Sequence, residues 1–575
     1  MKNKKLAKLL NRIADYLEMD DIDYKPFAYR RAASSLLELE DDIEKIYEEK
    51  GREGIEKISG VGQAIADKVE EFLLTGEIEH LERLKTKFPV QMEELLRVEG
   101  LGPKSIKKLY EELEIKNLEE LKKEAEKGSI ASLKGFGEKT EKNILEAIDF
   151  LKKDEGSWAL GEVMEFSKKI FNELKAMKEV KKISFAGSLR RKKELVGDVD
   201  ILVSASKTES IMNKFTSFEN IEKVLGQGET KASIKMEEGF NVDLRVVERA
   251  SFGSALQYFT GSKEHNIRTR KVAISKGFKL NEYGLFKNGR RVAGKSEEEI
   301  YSKLGMSFIP PEVREDRGEI EKAMKGEDFN LCEVSDIKGD LHTHTTWTGG
   351  KQSVKEMAIA AYELGYEYIG IADHTKYLQI ENGLNEKELK KQREEIERVN
   401  LELEDEGFQI KVLQGCEANI LEDGSLDIDD ESLEALDYVI AGIHSHFKLP
   451  EEEMTERLIR AIKHPQVNII SHPTGRLIKK RESLSLDVEK IIKTAKEEGV
   501  VLEINSSPHR LDLSDRYIKK CVENDQFLII NSDAHHKDQL ENINFGVGQA
   551  RRGWAQKEDI ANSKKLEELI DILKK

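Results

Sequence analysis

Two apolar, strand-like segments, AGSLRRKKELVGDVDILV at residues 186–203 and FNVDLRVV at 240–247, carry three aspartates, Asp198, Asp200 and Asp243. Side chains alternate faces along a strand, so Asp198 and Asp200 share one face while Val199, Ile201 and Val203 turn into a core. In the second segment Phe240, Val242, Leu244 and Val246 alternate with Asn241, Asp243 and Arg245, which sets Asp243 on the polar face of a neighbouring strand. Three converging carboxylates suit two Mg²⁺ ions, one activating a 3′-hydroxyl and the other carrying nucleotide phosphates and a leaving group. The competing reading is a pair of polar positions on ordinary edge strands. Gly187 and Ser188 favour nucleotidyl transfer, because a hydroxyl and exposed amides just before the aspartates, with Arg190 and Arg191 beside them, suit a triphosphate.

These residues resemble the palm of a family X DNA polymerase. YFTGSKEHNIRTR at 258–270 is similar to that family's nucleotide-binding helix and turn, and GFKLNEYGLF at 277–286 to the strand pair that follows. The resemblance implies that Gly187, Ser188 and Arg191 hold the triphosphate, with Gly261 in the same nucleotide-binding region. It also places Tyr258 near the sugar, Asn266 near the base edge and Arg270 near the template strand. Core packing is the other reading of Tyr258 and Phe259. The implied partners are deoxynucleoside triphosphates and gapped or primer-template DNA.

A chain of 575 residues is long enough for several domains with ample cores. Its net charge of −17 conflicts with DNA binding until it is divided: residues 1–315 hold 58 basic and 58 acidic side chains, and residues 316–575 hold 36 and 53. The acidity belongs to the last part, and the ten basic against five acidic side chains of residues 251–300 give a local, salt-sensitive phosphate patch. Three scattered cysteines, Cys332, Cys416 and Cys521, exclude a zinc ribbon or a disulfide framework. The N-terminal MKNKKLAKLLNRIADYLEM is amphipathic and lacks a signal-peptide core, and no run is long enough to span a bilayer. These features lead to the expectation of a cytoplasmic, nucleoid-associated monomer.

Three segments ahead of the palm share one design: ISGVGQAIADKV at 58–69, VEGLGPKSIKKL at 98–109 and LKGFGEKTEKNI at 133–144. The pairs Gly60 and Gly62, Gly100 and Gly102, and Gly135 and Gly137 permit tight hairpins whose amides meet a DNA phosphate near a helix N-terminus. Each also suits a plain helix–helix turn; their number and position resemble helix-hairpin-helix units. The family resemblance further implies a Schiff-base lysine acting on an abasic 5′ end, a place matched by Lys68, with Lys25 in a similar earlier helix junction. Ala64 departs from the pattern, which often has a basic 5′-phosphate contact there, and Lys68 equally suits an exposed helix position.

Ten of the twelve histidines lie between residues 342 and 536. Eight of them sit in DLHTHTTW, IADHT, AGIHSHF, IISHP and NSDAHH, with Glu417 in GCEANI, and nearly every cluster follows a short apolar run with helical segments between. That order predicts ligands at the C-terminal ends of the strands of an α/β barrel. Imidazoles and carboxylates suit Mn²⁺, Zn²⁺ or Fe²⁺, which lower the pKa of a water that attacks a phosphate ester. This part resembles a PHP (polymerase and histidinol phosphatase) domain. The resemblance implies up to three ions held by His342, His344, His374, Glu417, His444, His472, Asp533 and His535. It also exposes a departure: where the family commonly has an acid after the paired histidines, this chain reads Trp347-Thr348-Gly349-Gly350. His446, His464, His509 and His536 are assigned outside the ligand set, and Arg510 suits either a phosphate contact or a surface role.

The expected chain is multidomain. It has a helical lyase-like domain at 1–85, a helical DNA-binding subdomain at 86–152, an α+β nucleotidyltransferase palm at 153–247 and a nucleotide-selecting subdomain at 248–315. A linker at 316–335 precedes a distorted α/β barrel PHP domain at 336–575. The expected activity is gap-filling DNA synthesis in repair, including base excision repair, with a Mn²⁺-dependent 3′→5′ exonuclease and an abasic-site endonuclease or end-cleaning activity in the PHP part. Two alternatives stay open: a PHP scaffold or partner-binding module without nuclease activity, and a PHP centre acting on a small phosphomonoester.

Overall fold

A computed structural model describes residues 2–37, 39, 41–98, 100–153 and 156–574. The chain divides into two compact units, Met1–Glu155 with Lys479–Arg481, and Gly156–Ile478 with Glu482–Lys575. Among the described residues no helix is long and apolar enough to cross a membrane.

The first unit is helical. The helix Lys2–Met19 buries Leu6, Leu10, Ile13 and Leu17, a stripe at helical spacing. Gly60, Gly100 and Gly135 have φ of 75°, 87° and 91°, a region glycine enters without steric cost. Gly62 and Gly102 then cap the helices Gln63–Thr75 and Pro103–Leu113, the second opening on proline, which needs no N–H partner in the first turn. Gly137 likewise precedes Glu138–Lys153. The third hairpin differs in being approached through turns after the helix Leu118–Glu126.

The second unit opens with a five-stranded sheet of β1 (Val180–Phe185), β2 (Asp198–Ala205), β3 (Ile221–Gln227), β4 (Lys231–Met236) and β5 (Asn241–Val247), in the order β1-β2-β5-β4-β3. Val199, Ile201 and Val203 join Val242, Leu244 and Val246 in a core closed by Leu160, Val163 and Leu174 of the helix Leu160–Lys175. Helices Phe252–Thr260 and Lys263–Ser275 follow, then a small antiparallel sheet of β6 (Lys279–Asn281), β7 (Gly284–Lys287) and β8 (Arg290–Ala293). Here Arg314, fully buried, ion-pairs with Glu297 at 2.6 Å, and Arg190 joins the same carboxylate. The two guanidinium groups hold Glu297 at about 2, against the burial that would raise it.

The barrel strands are β9 (Gly339–Thr343), β10 (Tyr368–Ile371), β11 (Lys411–Gln414), β12 (Glu417–Asn419), β13 (Ile440–Gly442), β14 (Ile469–Ile470), β15 (Val501–Asn505) and β16 (Leu528–Asn531), all parallel. β11 and β12 form one stave interrupted at Gly415 and Cys416, and the bridges His374 to Glu417 and Thr343 to Ala534 close the ring. Leu569 and Leu573 of the helix Leu566–Leu573 join Leu413, Ile440 and Ile469 inside it, and Asn468 donates to the Leu573 carbonyl, so this helix plugs the N-terminal end. The opposite end is left for chemistry.

Residues 316–335 do more than connect. The helix Glu319–Met324 buries Ile320 and Ala323, Cys332 N–H donates to the Ala555 carbonyl at 3.0 Å, and Arg317 ion-pairs with Asp515. The lack of strand alternation that makes the segment read as a linker reflects a short helix whose Ile320 and Ala323 join the core of the small antiparallel sheet with Leu280, Leu285 and Ile300, followed by backbone tied to the barrel at Cys332.

Candidate active sites

In the palm, β2 leaves Asp198 exposed and Asp200 half-buried around a buried Val199, and β5 does the same for Asn241 and Asp243 around Val242. The two strands are parallel, with Asp200 directly opposite Asp243 and Asp198 opposite Asn241, so the three carboxylates share one face. Their proximity is costly without cations. Burial first, then the Asp198 and Asp243 carboxylates, push Asp200 up to about 7, and burial with Asp243 raises Asp198. A divalent ion relieves both effects, which makes this donor set fit one.

Two cations stand beside the aspartates: Arg245, which strand alternation already sets on the face of Asp243, and Lys231, which nothing in the sequence marks. Lys231 Nζ lies 3.2 Å from Asp243 Oδ2, and Arg245 favours the charged form of Asp200 while lying 4.4 Å from the Phe259 ring centre. The β4–β5 register that sets Lys231 opposite Arg245 brings Lys231 in, and no short-range pattern announces it.

Gly187 has φ 60°, and a Cβ there would lie 2.3 Å from Asp200 Oδ2, so the backbone runs directly against the carboxylate. Ser188 follows, half-buried, in the turn Gly187–Arg190. Arg191 is buried; its Nε donates to Glu315 at 3.0 Å and its Nη1 to the Thr260 carbonyl, next to Gly261. Asn266 is also engaged internally: its Nδ2 donates to the Tyr258 carbonyl at 2.7 Å and its Oδ1 accepts from Gln257. Tyr258 is half-buried and Arg270 exposed on the helix Lys263–Ser275. The structure therefore brings Gly187 and Ser188 to the aspartates, and gives Arg191 and Asn266 a hold on the 258–261 backbone.

In the first unit, Lys68 Nζ donates to the Ala64 carbonyl at 2.9 Å, the position noted as lacking a basic side chain. Burial holds the His80 imidazole below its ordinary value, and the charges of Lys68, Arg83 and Lys25 add to the effect.

All eight side chains expected in the barrel converge at the C-terminal strand ends. Glu417 is the hub: its Oε2 lies 3.0 Å from His374 Nδ1 and 3.4 Å from His342 Nε2, and its Oε1 lies 3.0 Å from His472 Nε2 and 3.2 Å from His444 Nε2. Asp533 Oδ1 stands 3.3 Å from His344 Nε2 and 3.6 Å from His342 Nε2. Among the described residues three overlapping groups emerge, His342–His344–Asp533, His374–Glu417–His444 and His344–His374–His535. His344 Nδ1 and His472 Nδ1 are buried without a hydrogen-bond partner among the described residues, and His342 Nε2, His344 Nε2 and His374 Nδ1 are buried facing only the carboxylate oxygens of Glu417 and Asp533. Orphaned ring nitrogens aimed at shared carboxylates are the donor set of transition-metal sites. Although burial opposes ionisation, the surrounding histidines keep the Glu417 and Asp533 carboxyls well below the usual range. His472 and Asp533 carry φ of 26° and 56°, backbone strain concentrated at this centre.

The surrounding shell includes residues the sequence reading passed over. Glu503, the one charged residue in the buried strand VLEIN, accepts from His342 Nδ1 at 2.7 Å and from the His472 amide at 2.8 Å. Asn419 accepts from His444 Nδ1 at 2.8 Å, leaving Nε2 to face Glu417. Asp373 accepts from both hydroxyls of Thr345 and Thr348 and shapes the turn after the paired histidines. His446, His464 and His536 pair outside the cluster with Glu422, Asp430 and Asp538. Arg510 Nε approaches Asp533 Oδ2 at 3.6 Å, at the cluster's rim.

Domain-family models match in chain order: a helix-hairpin-helix domain at residues 1–78, a SAM-like helix-hairpin-helix tandem at 92–149, the DNA polymerase beta palm at 160–240, the DNA polymerase beta thumb at 255–315 and a PHP domain at 340–507. The barrel part alone is similar to two proteins named "Probable phosphatase". One, from Acetivibrio thermocellus, is 30% identical over 38% of this chain and 86% of the relative; the other, from Caldanaerobacter subterraneus, is 35% identical over 29% and 62%. The DNA polymerase/3′-5′ exonuclease PolX of Bacillus subtilis is 37% identical over 580 residues, covering the whole of both chains. With that full-length match and its order of palm, thumb and barrel, the chain belongs to the family X DNA polymerases that carry a C-terminal PHP domain.

Proposed function

We propose that this protein is a DNA-directed DNA polymerase that fills short gaps during repair, and that its PHP centre is a Mn²⁺-dependent 3′→5′ exonuclease that trims DNA ends. The observation that carries this reading is one folded unit holding both an aspartate trio and an eight-residue histidine–carboxylate cluster, in a chain that matches PolX end to end. Asp198, Asp200 and Asp243 hold Mg²⁺, and Gly187 and Ser188 meet the triphosphate beside them. Arg191 acts through the Thr260–Gly261 turn as well as by its charge, with Tyr258, Asn266 and Arg270 nearer the sugar, base and template. The glycine pairs 60 and 62, 100 and 102, and 135 and 137 grip the DNA backbone. Lys68, with Lys25 nearby, is the proposed nucleophile toward an abasic sugar aldehyde, losing water to form a Schiff base.

In the barrel, His342, His344, His374, Glu417, His444, His472, Asp533 and His535 hold Mn²⁺, with Zn²⁺ or Fe²⁺ as competing occupants. When bound, these ions supply a hydroxide at neutral pH and Lewis acidity toward a phosphodiester. Glu417 spans two groups of ring nitrogens, and Glu503 and Asn419 fix which imidazole nitrogen faces inward. The protein is proposed to act as a cytoplasmic monomer at the nucleoid.

End-labelled gapped DNA tests the reading. His342→Ala with His344→Ala should eliminate 3′-end degradation while gap filling persists, and added Mn²⁺ should raise degradation by the parent. Degradation at the parent rate by the double variant would leave the PHP part as a scaffold. A parent that leaves DNA ends intact but hydrolyses a small phosphomonoester would favour the phosphatase-like alternative.

A further inference from the structure

Of the three metal-binding groups, two contain a carboxylate, Asp533 in one and Glu417 in another. The third, His344–His374–His535, consists of imidazoles alone, with ring nitrogens within 4.8 Å of one another. Its own three members are neutral, and the carboxylates nearest to it, Asp533 Oδ1 at 3.3 Å from His344 Nε2 and Glu417 Oε2 at 3.0 Å from His374 Nδ1, are members of the other two groups, so a dication here lacks an anionic ligand of its own. Gly349, in the turn that follows His344, stands beside the His535 ring of this group. Its φ is not in the left-handed region, so the backbone there accepts any side chain. What a Cβ would meet is the Glu381 carboxylate, with Oε2 at 2.4 Å, and the His535 ring, with Cδ2 at 3.3 Å. His535 Nδ1 lies 3.0 Å from the Asp533 carbonyl and donates to it, which leaves Nε2, bonded to that same Cδ2, as its free ligand nitrogen.

The segment bearing Glu381 is tied to the metal-site backbone. Leu378 N–H donates to the Thr375 carbonyl at 3.0 Å, Glu381 N–H to the Leu378 carbonyl at 3.1 Å, and Leu384 N–H to the His374 carbonyl at 2.8 Å. Among the described residues, the Glu381 carboxylate has no hydrogen bond or ion pair of its own, although it is half-buried. A carboxylate without a partner, delivered from the loop after His374 into the space a side chain at 349 would fill, has one evident use.

We infer that Glu381 is the anionic ligand of the His344–His374–His535 site, reaching it through the space Gly349 leaves open. The inference rests on the PHP cluster being a metal centre, and it makes an acid at 349 and an acid at 381 alternative ways to complete one site.

Metal content separates the two claims without any assay of activity. Full-length parent, Glu381→Gln, the pair Glu381→Ala with Gly349→Asp, and His342→Ala with His344→Ala are stripped with chelator. Each is then reloaded with Mn²⁺ and measured by elemental analysis and Mn²⁺ titration, with melting temperature as a check on folding. The parent should retain one ion per group. Glu381→Gln should lose the weakest ion or bind it about tenfold or more weakly, and the Glu381→Ala, Gly349→Asp pair should recover it. Parent-like metal retention by Glu381→Gln overturns the inference, as does a loss that the pair does not recover, since that marks Glu381 as a packing residue. Unchanged retention by the double histidine variant instead overturns the metal-centre reading itself.

Discussion

Arg552, on the helix Ile543–Arg552 of the barrel, donates to the backbone carbonyl of Arg191 in the palm at 2.7 Å. The same guanidinium ion-pairs with Glu315 at 3.0 Å and Asp515 at 2.6 Å, and Glu315 in turn holds the Arg191 side chain. Polymerase and barrel thus share one buried charge network. Arg552→Met leaves Asp515 and Glu315 buried with less compensation, and should cost roughly 3–5 kcal/mol of stability. Urea unfolding of parent and variant measures this, and a change under about 1 kcal/mol would show the network to be dispensable.

Asp243 stands opposite Asp200 on the adjacent parallel strand. Asp243→Ala should lower gap filling by roughly 10²–10³-fold or more, while DNA binding and 3′-end degradation stay near parent values. Single-nucleotide insertion on gapped DNA, with binding followed by anisotropy, is the measurement. Near-normal insertion would remove the aspartates from the reaction.

Because burial and its two neighbours push Asp200 up to about 7, protons should compete with a divalent cation for the palm below that pH. The Mg²⁺ concentration needed for half-maximal gap filling should fall about tenfold per pH unit as pH approaches about 7, then level off. Stability of the metal-free protein has the opposite slope. The folded state keeps a proton that the unfolded chain releases near the ordinary carboxylate pKa, so stability should decline from about pH 4 to about pH 7. Asp200→Asn should flatten that decline in thermal melts.

Glu503 accepts hydrogen bonds from His342 Nδ1 and the His472 amide, holding two of the histidine-bearing strand ends together. Glu503→Gln should weaken Mn²⁺ retention by roughly 10–100-fold with little change in gap filling. Mn²⁺ titration of the stripped protein reads this effect, and parent-like affinity would make Glu503 a packing residue.

Sequence alone determined what depends on neighbours along the chain. The two-residue alternation of DVDILV set Asp198 and Asp200 on one face, and paired glycines marked the turns. Histidines after short apolar runs marked the ligand ends of barrel strands, since strand period and turn conformation are local properties. Only tertiary structure decided the partners: Asp200 against Asp243 by strand register, Lys231 beside them, and Glu503 behind His342. It also set Arg191 against Glu315, 124 residues away, and Arg552 against Arg191 across 361. The turn Trp347–Gly350 lacks an acid in sequence, and the space its glycine leaves is occupied by Glu381 from another loop. Such juxtapositions arise when distant segments pack, where a side chain's reach and the space left by its neighbours matter more than its place in the chain.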